Sequence, residues 1–314
     1  MPDTASRAML LTILVVMGAG WGVTFTLTKI AVSTGHQYFG LIAWQFVIMS
    51  LISVFICQIR RKHAPWTGKH IAVYLMICLT GSLVPNSISY SVAVHLPAGM
   101  MSILIATVPL FAFPIAIALG IDTFSWRRIL GLMCGLGCVT LIAWPELSLP
   151  EAGLAIWIAL ALSTALLYAT EGNIIGKWGT WGLDPIQMLT GAAILGTPIA
   201  IGLAISSGQF ITPFRPWGAP EWALIGSSSI HVAAYSTYFW MVTRAGVVFA
   251  SQVAYIVTAF GVISAMIILG ERYSLHIWAG FALMLVGLFL VQPRSEAGSK
   301  SGVVPEGGMQ EDTR

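Results

Sequence analysis

Long apolar runs separated by short polar clusters dominate this chain. At ten places the run approaches the roughly 20 residues that a helix needs to cross a bilayer. The runs are Met9–Val32, Phe39–Ile59, Ile71–Val94, Gly99–Ile121, Ile129–Ala143, Ala152–Ile175, Ile186–Ile205, Trp222–Thr243, Val247–Leu269 and Ile277–Val291. The fifth and tenth are short, with Arg127, Arg128 and His276 placed to snorkel and lengthen them. The first run turns polar at its far end, at Trp21, Thr24, Thr28 and Lys29, so it reads as a retained helix rather than a cleavable signal. The pattern predicts an all-α membrane protein with ten transmembrane helices.

Polar positions inside the runs fall at helical spacing, three, four or seven residues apart, and so share faces. Trp21, Thr24 and Thr28 form one stripe, with Lys29 beside it. Ser82, Asn86 and Tyr90 form a second, Thr164, Tyr168 and Glu171 a third, and His231, Tyr235 and Tyr238 a fourth. Gln252 and Tyr255 add a fifth, with Thr107 on another run. Glu171 stands out, because a carboxylate facing lipid costs a few kcal/mol and such residues turn toward water, a partner or a substrate path. Two readings follow: a carrier of a proton or a substrate amine, or a static ion pair with Arg244. Lys29 either snorkels to the outer interface or binds an anionic group, and His231 either bonds a neighbouring helix or takes part in a proton-coupled step. Pro85, Pro109, Pro114 and Pro198 free backbone carbonyls within spans and mark bending points.

Composition agrees with the pattern. A mean hydropathy of +0.86, 57% hydrophobic and only 9% charged residues exclude a soluble domain. The net charge of +3 is no nucleic-acid signature, since no basic run is interleaved with aromatics on a polar face. With a cytoplasmic amino terminus, the inside ends of the spans hold all the Lys and Arg except Lys29, Arg215 and Arg272, which puts both termini in the cytoplasm. Most tryptophans, Trp126, Trp178, Trp217 and Trp278 among them, sit near run ends as an interfacial belt. Cys57, Cys78, Cys134 and Cys138 lie in or beside apolar runs and read as small packing residues, not as a disulfide or metal site. No motif for catalysis, metal, nucleotide or other cofactor occurs, so an enzyme is not expected. A membrane-embedded enzyme using Glu171 and His231 is the weakest alternative, and a passive channel a stronger one.

Offsetting the sequence by 149 residues aligns Ser102 with Ser251, Asp122 with Glu271, Ser125 with Ser274 and Gly131 with Gly280, and places Ser82 on His231 and Asn86 on Tyr235. Two five-helix repeats follow, residues 9–143 and 152–291, ahead of a disordered cytoplasmic tail at 292–314. Five is odd, so the second repeat is inverted in the membrane, an arrangement that encloses a site near the midplane. Gly18 with Gly22 and Gly131 with Gly135 supply small residues for close helix contact, within the bundle or in a homodimer.

Trp21-Gly22 followed by Lys29, the hop Leu119-Gly120-Ile121-Asp122 with Ser125, and Leu269-Gly270-Glu271-Arg272 with Ser274 carry a resemblance to a known family. With Gly131, Gly280 and Pro109, the chain resembles the drug/metabolite transporter superfamily in its EamA-type branch, with two tandem EamA domains. Gln45 stands about where many such proteins carry Arg, and Asp122 where they more often carry Glu. The resemblance implies a gradient-driven inner-membrane transporter, exporting small amphipathic metabolites such as amino acids by alternating access. Its expected partners are a small-molecule substrate and the lipid bilayer, with no nucleic acid. The candidate substrate-binding residues are Trp21, Thr24, Asn86, Tyr90, Tyr168, Glu171, His231, Tyr235, Tyr238, Gln252 and Tyr255, and Lys29, Glu171 and His231 are candidates for coupling or gating.

Overall fold

In the computed structural model, residues 4–147, 154–214, 216–245 and 252–291 are described. Side chains are described except at 4–7, 143–147, 154 and 242–245. All regular structure among them is helical. The elements are α1 (Thr4–Ala31), α2 (Tyr38–Ile59), α3 (Gly68–Ile77), a π-helical turn (Cys78–Leu83), α4 (Val84–His95), α5 (Ala98–Ile105), α6 (Val108–Ala118), α7 (Trp126–Leu147), α8 (Leu154–Trp178), α9 (Pro185–Ser206), α10 (Ala219–Ala245), α11 (Val253–Leu269) and α12 (Leu275–Val291). By length and composition, six helices reach the requirement for crossing a membrane: Ala8–Ala31, Tyr38–Ile59, Gly68–His95, Ala98–Ala118, Ala155–Trp178 and Pro185–Ser206. Val253–Leu269 and Leu275–Val291 are apolar but shorter. The expected disordered tail and the start of the ninth run lie outside the described residues.

The prolines act at two of the four expected places. Pro85 lacks the amide that would bond back to Gly81, and the helix widens into its π turn there. Pro109 follows the break between α5 and α6, where the Thr107 hydroxyl donates to the Leu104 carbonyl at 2.6 Å. Pro114 and Pro198, by contrast, sit inside uninterrupted helices.

Packing follows a definite pairing. Helix α1 lies against α10 and α11, and α8 lies against α4, α5 and α6. Helices α2 and α9, α7 and α12, and α5 and α11 pair with each other. The α1–α11 seam is the closest in character to a zipper. A Cβ on Gly22 would stand 2.8 Å from the Gly261 nitrogen, a Cβ on Gly18 would stand 2.8 Å from Ile256, and Thr26 and Ser264 share a 2.8 Å hydrogen bond across it. Gly131 meets the Gly287 carbonyl on α12 in the same way. The small-residue stripes are thus used inside the chain. Gly22→Leu should wedge α1 from α11 and cost about 1–3 kcal/mol, read as a lowered melting temperature of the purified protein.

Candidate functional site

Helix α8 is continuous through Glu171 because the Ala- and Leu-rich turns before it favour helix, and the Gly172-Asn173 step after it is held by packing, Asn173 donating to the Ala112 carbonyl of α6 at 3.1 Å. The Glu171 side chain is only 5% exposed, and its Oε1 accepts a hydrogen bond from the Tyr235 hydroxyl of α10 at 3.3 Å. On its other side lies the π turn. A Cβ on Gly81 would fall on the Glu171 carboxylate, so only glycine leaves room for the acid there. One turn back along α8, the Tyr168 hydroxyl donates to Asn86 Oδ1 of α4 at 3.0 Å. The expected stripes of α4, α8 and α10 therefore converge on one buried cluster.

Aromatic rings extend it. His231 stacks on Tyr235 at 6.1 Å and meets the Trp21 ring edge-on at 6.3 Å. Tyr238 also packs edge-on against Trp21, at 6.3 Å. Tyr90, 3% exposed, reaches Ser227 of α10. Asn86 Nδ2 and His231 Nε2 are buried without a hydrogen-bond partner, at residues 9% and 8% exposed. Orphaned polar atoms cost free energy unless something else satisfies them, so these two mark places where a ligand or water belongs. A cavity of about 10 Å³, bounded by Phe25, Ser89 and Thr164, lies one turn along α4 and α8 from Asn86 and Tyr168, which do not line it.

Other candidates lie apart. Thr24 turns its hydroxyl back to the Trp21 carbonyl at 2.6 Å. Gln252 and Tyr255 stand at the start of α11, next to the Arg127 side of the bundle, with no contact to Glu171 among the described residues. Lys29 neither snorkels nor faces the cluster. Its Nζ donates to the carbonyls of Ala93 at 2.6 Å, Leu96 at 3.0 Å and Val94 at 3.5 Å, closing the C-terminal end of α4, where the helix dipole favours a cation. Lys29→Met should lower stability by about 1–3 kcal/mol, seen in thermal unfolding, and leave ligand affinity within about twofold.

The acidic residues at the ends of the fourth and ninth runs also differ. Asp122 stays local, accepting from the Thr123 amide at 2.7 Å and pairing with Arg128. Glu271 instead crosses to the other half of the chain, accepting from the amides of Ala98 at 2.8 Å and Gly99 at 3.2 Å. It caps the start of α5 rather than its own following helix. The Arg244 side chain lies outside the described residues, and among the described residues Glu171 makes no ion pair. Sequence reasoning missed Gly81 and Ser227. A glycine four residues before an intramembrane proline was the available signal for the first, and for the second it was its place four residues before His231, on the face that carries His231 and Tyr235.

The EamA-like transporter family matches residues 7–144 and again residues 155–292. The chain belongs to that family. An EamA protein of this kind is a membrane transporter and not an enzyme. Relatives agree. "Uncharacterized transporter YvbV" of Bacillus subtilis is 24% identical over 95% of this chain and 94% of its own length. "Uncharacterized transporter sll0355" of Synechocystis sp. is 26% identical over 58% of this chain, and the match spans 61% of that protein's length. A solved crystal structure, 13% identical, superposes with a TM-score of 0.58 over 90% of this chain and 98% of that one, a likeness of fold alone. Within the EamA frame, the Glu171 cluster lies where a helix of the second repeat meets one from each repeat.

Proposed function

We infer that this EamA protein is a secondary transporter in which ten spans form two inverted five-helix repeats around the Glu171 cluster, exporting small amphipathic metabolites by alternating access. The carrying observation is the lone carboxylate of Glu171, buried between the π turn of the first repeat and Tyr235 of the second, beside two unsatisfied polar atoms. Trp21, Asn86, Tyr90, Tyr168, His231, Tyr235 and Tyr238 form the binding chamber with it. Thr24, Gln252 and Tyr255 lie along the route to it. Glu171 can hold a proton or a substrate group but not both, which couples the two; His231 stacks on the Tyr235 ring whose hydroxyl reaches Glu171.

The repeat reading is supported by the packing. The 149-residue offset carries α1 onto α8, α4 onto α10 and α5–α6 onto α11. The contacts of α1 with α10 and α11 then have their counterparts in those of α8 with α4 and α5–α6. Pairs that map onto themselves, α2–α9, α7–α12 and α5–α11, line the two-fold axis. Alternating access is supported by a break in that symmetry: Glu271 grips the opposite repeat while its counterpart Asp122 does not. A topology with both termini in the cytoplasm is supported by the charge distribution, and placement in the inner membrane is part of the same reading. Counterflow in proteoliposomes tests the reading. A carrier shows saturable uptake accelerated by unlabelled substrate inside, and flux that rises linearly with concentration without counterflow makes the protein a channel.

A further inference from the structure

We propose that the Glu171 chamber selects organic amines, molecules with an ammonium group on an aromatic or aliphatic body and no carboxylate, over amino acids. This rests on the transporter reading and names its substrate class. The chamber offers a cation three kinds of contact. Glu171 supplies a carboxylate that is anionic once its proton is released, with one oxygen accepting from the Tyr235 hydroxyl at 3.3 Å. Trp21 and Tyr238, packed edge-on at 6.3 Å, supply aromatic surface, while Tyr235 lies against the His231 and Phe239 rings and contributes its hydroxyl. Asn86 and His231 each present a buried polar atom with no partner.

Among the described residues no lysine or arginine is hydrogen-bonded or ion-paired within the Glu171 cluster, and Arg61, Lys69 and Arg272 stand in connections or at a helix start. Lys29 is held by the carbonyls of Ala93, Val94 and Leu96, Arg128 by Asp122, Arg127 by the Phe289 carbonyl at 3.1 Å and Lys177 by the Leu119 carbonyl at 2.9 Å. Arg60 and Lys62 pair with Asp184 at the end of α2. A zwitterionic amino acid would satisfy Glu171 and bury its own carboxylate unpaired, a penalty that an amine avoids. The two donor-capable orphans, one amide and one imidazole, can hold a neutral oxygen on the ligand body but supply no fixed positive charge.

Three compounds that share one body decide the matter: 2-phenylethylamine, phenylalanine and 3-phenylpropionate. Binding to the purified full chain, read by thermal shift and by calorimetry, should favour the amine over the amino acid by about tenfold or more, with the acid weaker still. Glu171→Gln should erase the preference, and Tyr235→Phe, which removes only a hydroxyl, should weaken the amine by roughly threefold to tenfold. Phenylalanine binding as tightly as the amine, or amine binding unchanged in Glu171→Gln, overturns the assignment, as does an amine that does not bind. Counterflow with the same compounds keeps the two readings apart. Amine-selective binding without counterflow overturns the carrier and keeps the ligand class, whereas counterflow of phenylalanine with no preference for the amine overturns the class and keeps the carrier.

Discussion

Glu171→Gln is expected to abolish counterflow, lowering the initial rate by about two orders of magnitude, while the protein folds and melts nearly as the parent does. The substitution keeps shape and keeps an oxygen for the Tyr235 hydroxyl, so the α8–α10 contact at 3.3 Å survives. It removes the charge and the ability to exchange a proton for a substrate group. Losing a buried partner for a charged ligand costs roughly 2–5 kcal/mol, which is the scale of a hundredfold effect. Stability should move by less than about 1 kcal/mol. Gly81→Ala attacks the same contact from the π turn, because its methyl would occupy the space of the Glu171 carboxylate. Gly172→Ala, one residue along α8 with open space around it, should be silent. Rates within about twofold of the parent in Glu171→Gln would leave the carboxylate a structural group.

The all-helical character and several polar faces were legible in the sequence, for a physical reason. Intramembrane polar residues are few, so a stripe such as Thr164, Tyr168 and Glu171 has little competition, and helical period alone tells which side faces inward. Tyr235 reaching Glu171, and Tyr168 reaching Asn86, are therefore readable as faces though not as pairs. Lys29 was less legible. A lysine near a helix end satisfies the snorkelling rule, and only the three-dimensional return of α4 beside α1 shows that the end of a second helix takes the charge. The partners of Glu271 were illegible for a similar reason, since Ala98 and Gly99 are 173 and 172 residues away. Gly22 shows what symmetry alone can hide: the 149-residue offset places it opposite Glu171, so the charge belongs to one repeat and the close helix contact to the other.

Glu271→Gln should open the face of the protein on which α11 ends and α5 begins. On the proposed topology that face is the outer one. Glu271 joins the repeats there through the Ala98 and Gly99 amides, the first unpaired donors of α5, and the Tyr273 hydroxyl donates to the same carboxylate at 2.5 Å. Burial and that carboxylate both push the Tyr273 hydroxyl up in pKa, so it remains a donor throughout the working pH range. A Cβ on Gly99 would overlap the end of the Tyr273 side chain, and the fit leaves no slack. Replacing the anion by an amide weakens each of these hydrogen bonds and its pull on the helix dipole, about 1–3 kcal/mol together. That is enough to move a two-state equilibrium by roughly fivefold to a hundredfold. Ser102, fully buried one turn below Gly99, gives the readout. In a Ser102→Cys background, a membrane-impermeant thiol reagent added outside should label the Glu271→Gln variant at least about tenfold faster than its parent. Gly99→Ala should do the same by pushing Tyr273 aside. Equal labelling in all three would make the Glu271 contact a passive helix cap, and the outer closure would then have to reside in the α1–α11 seam.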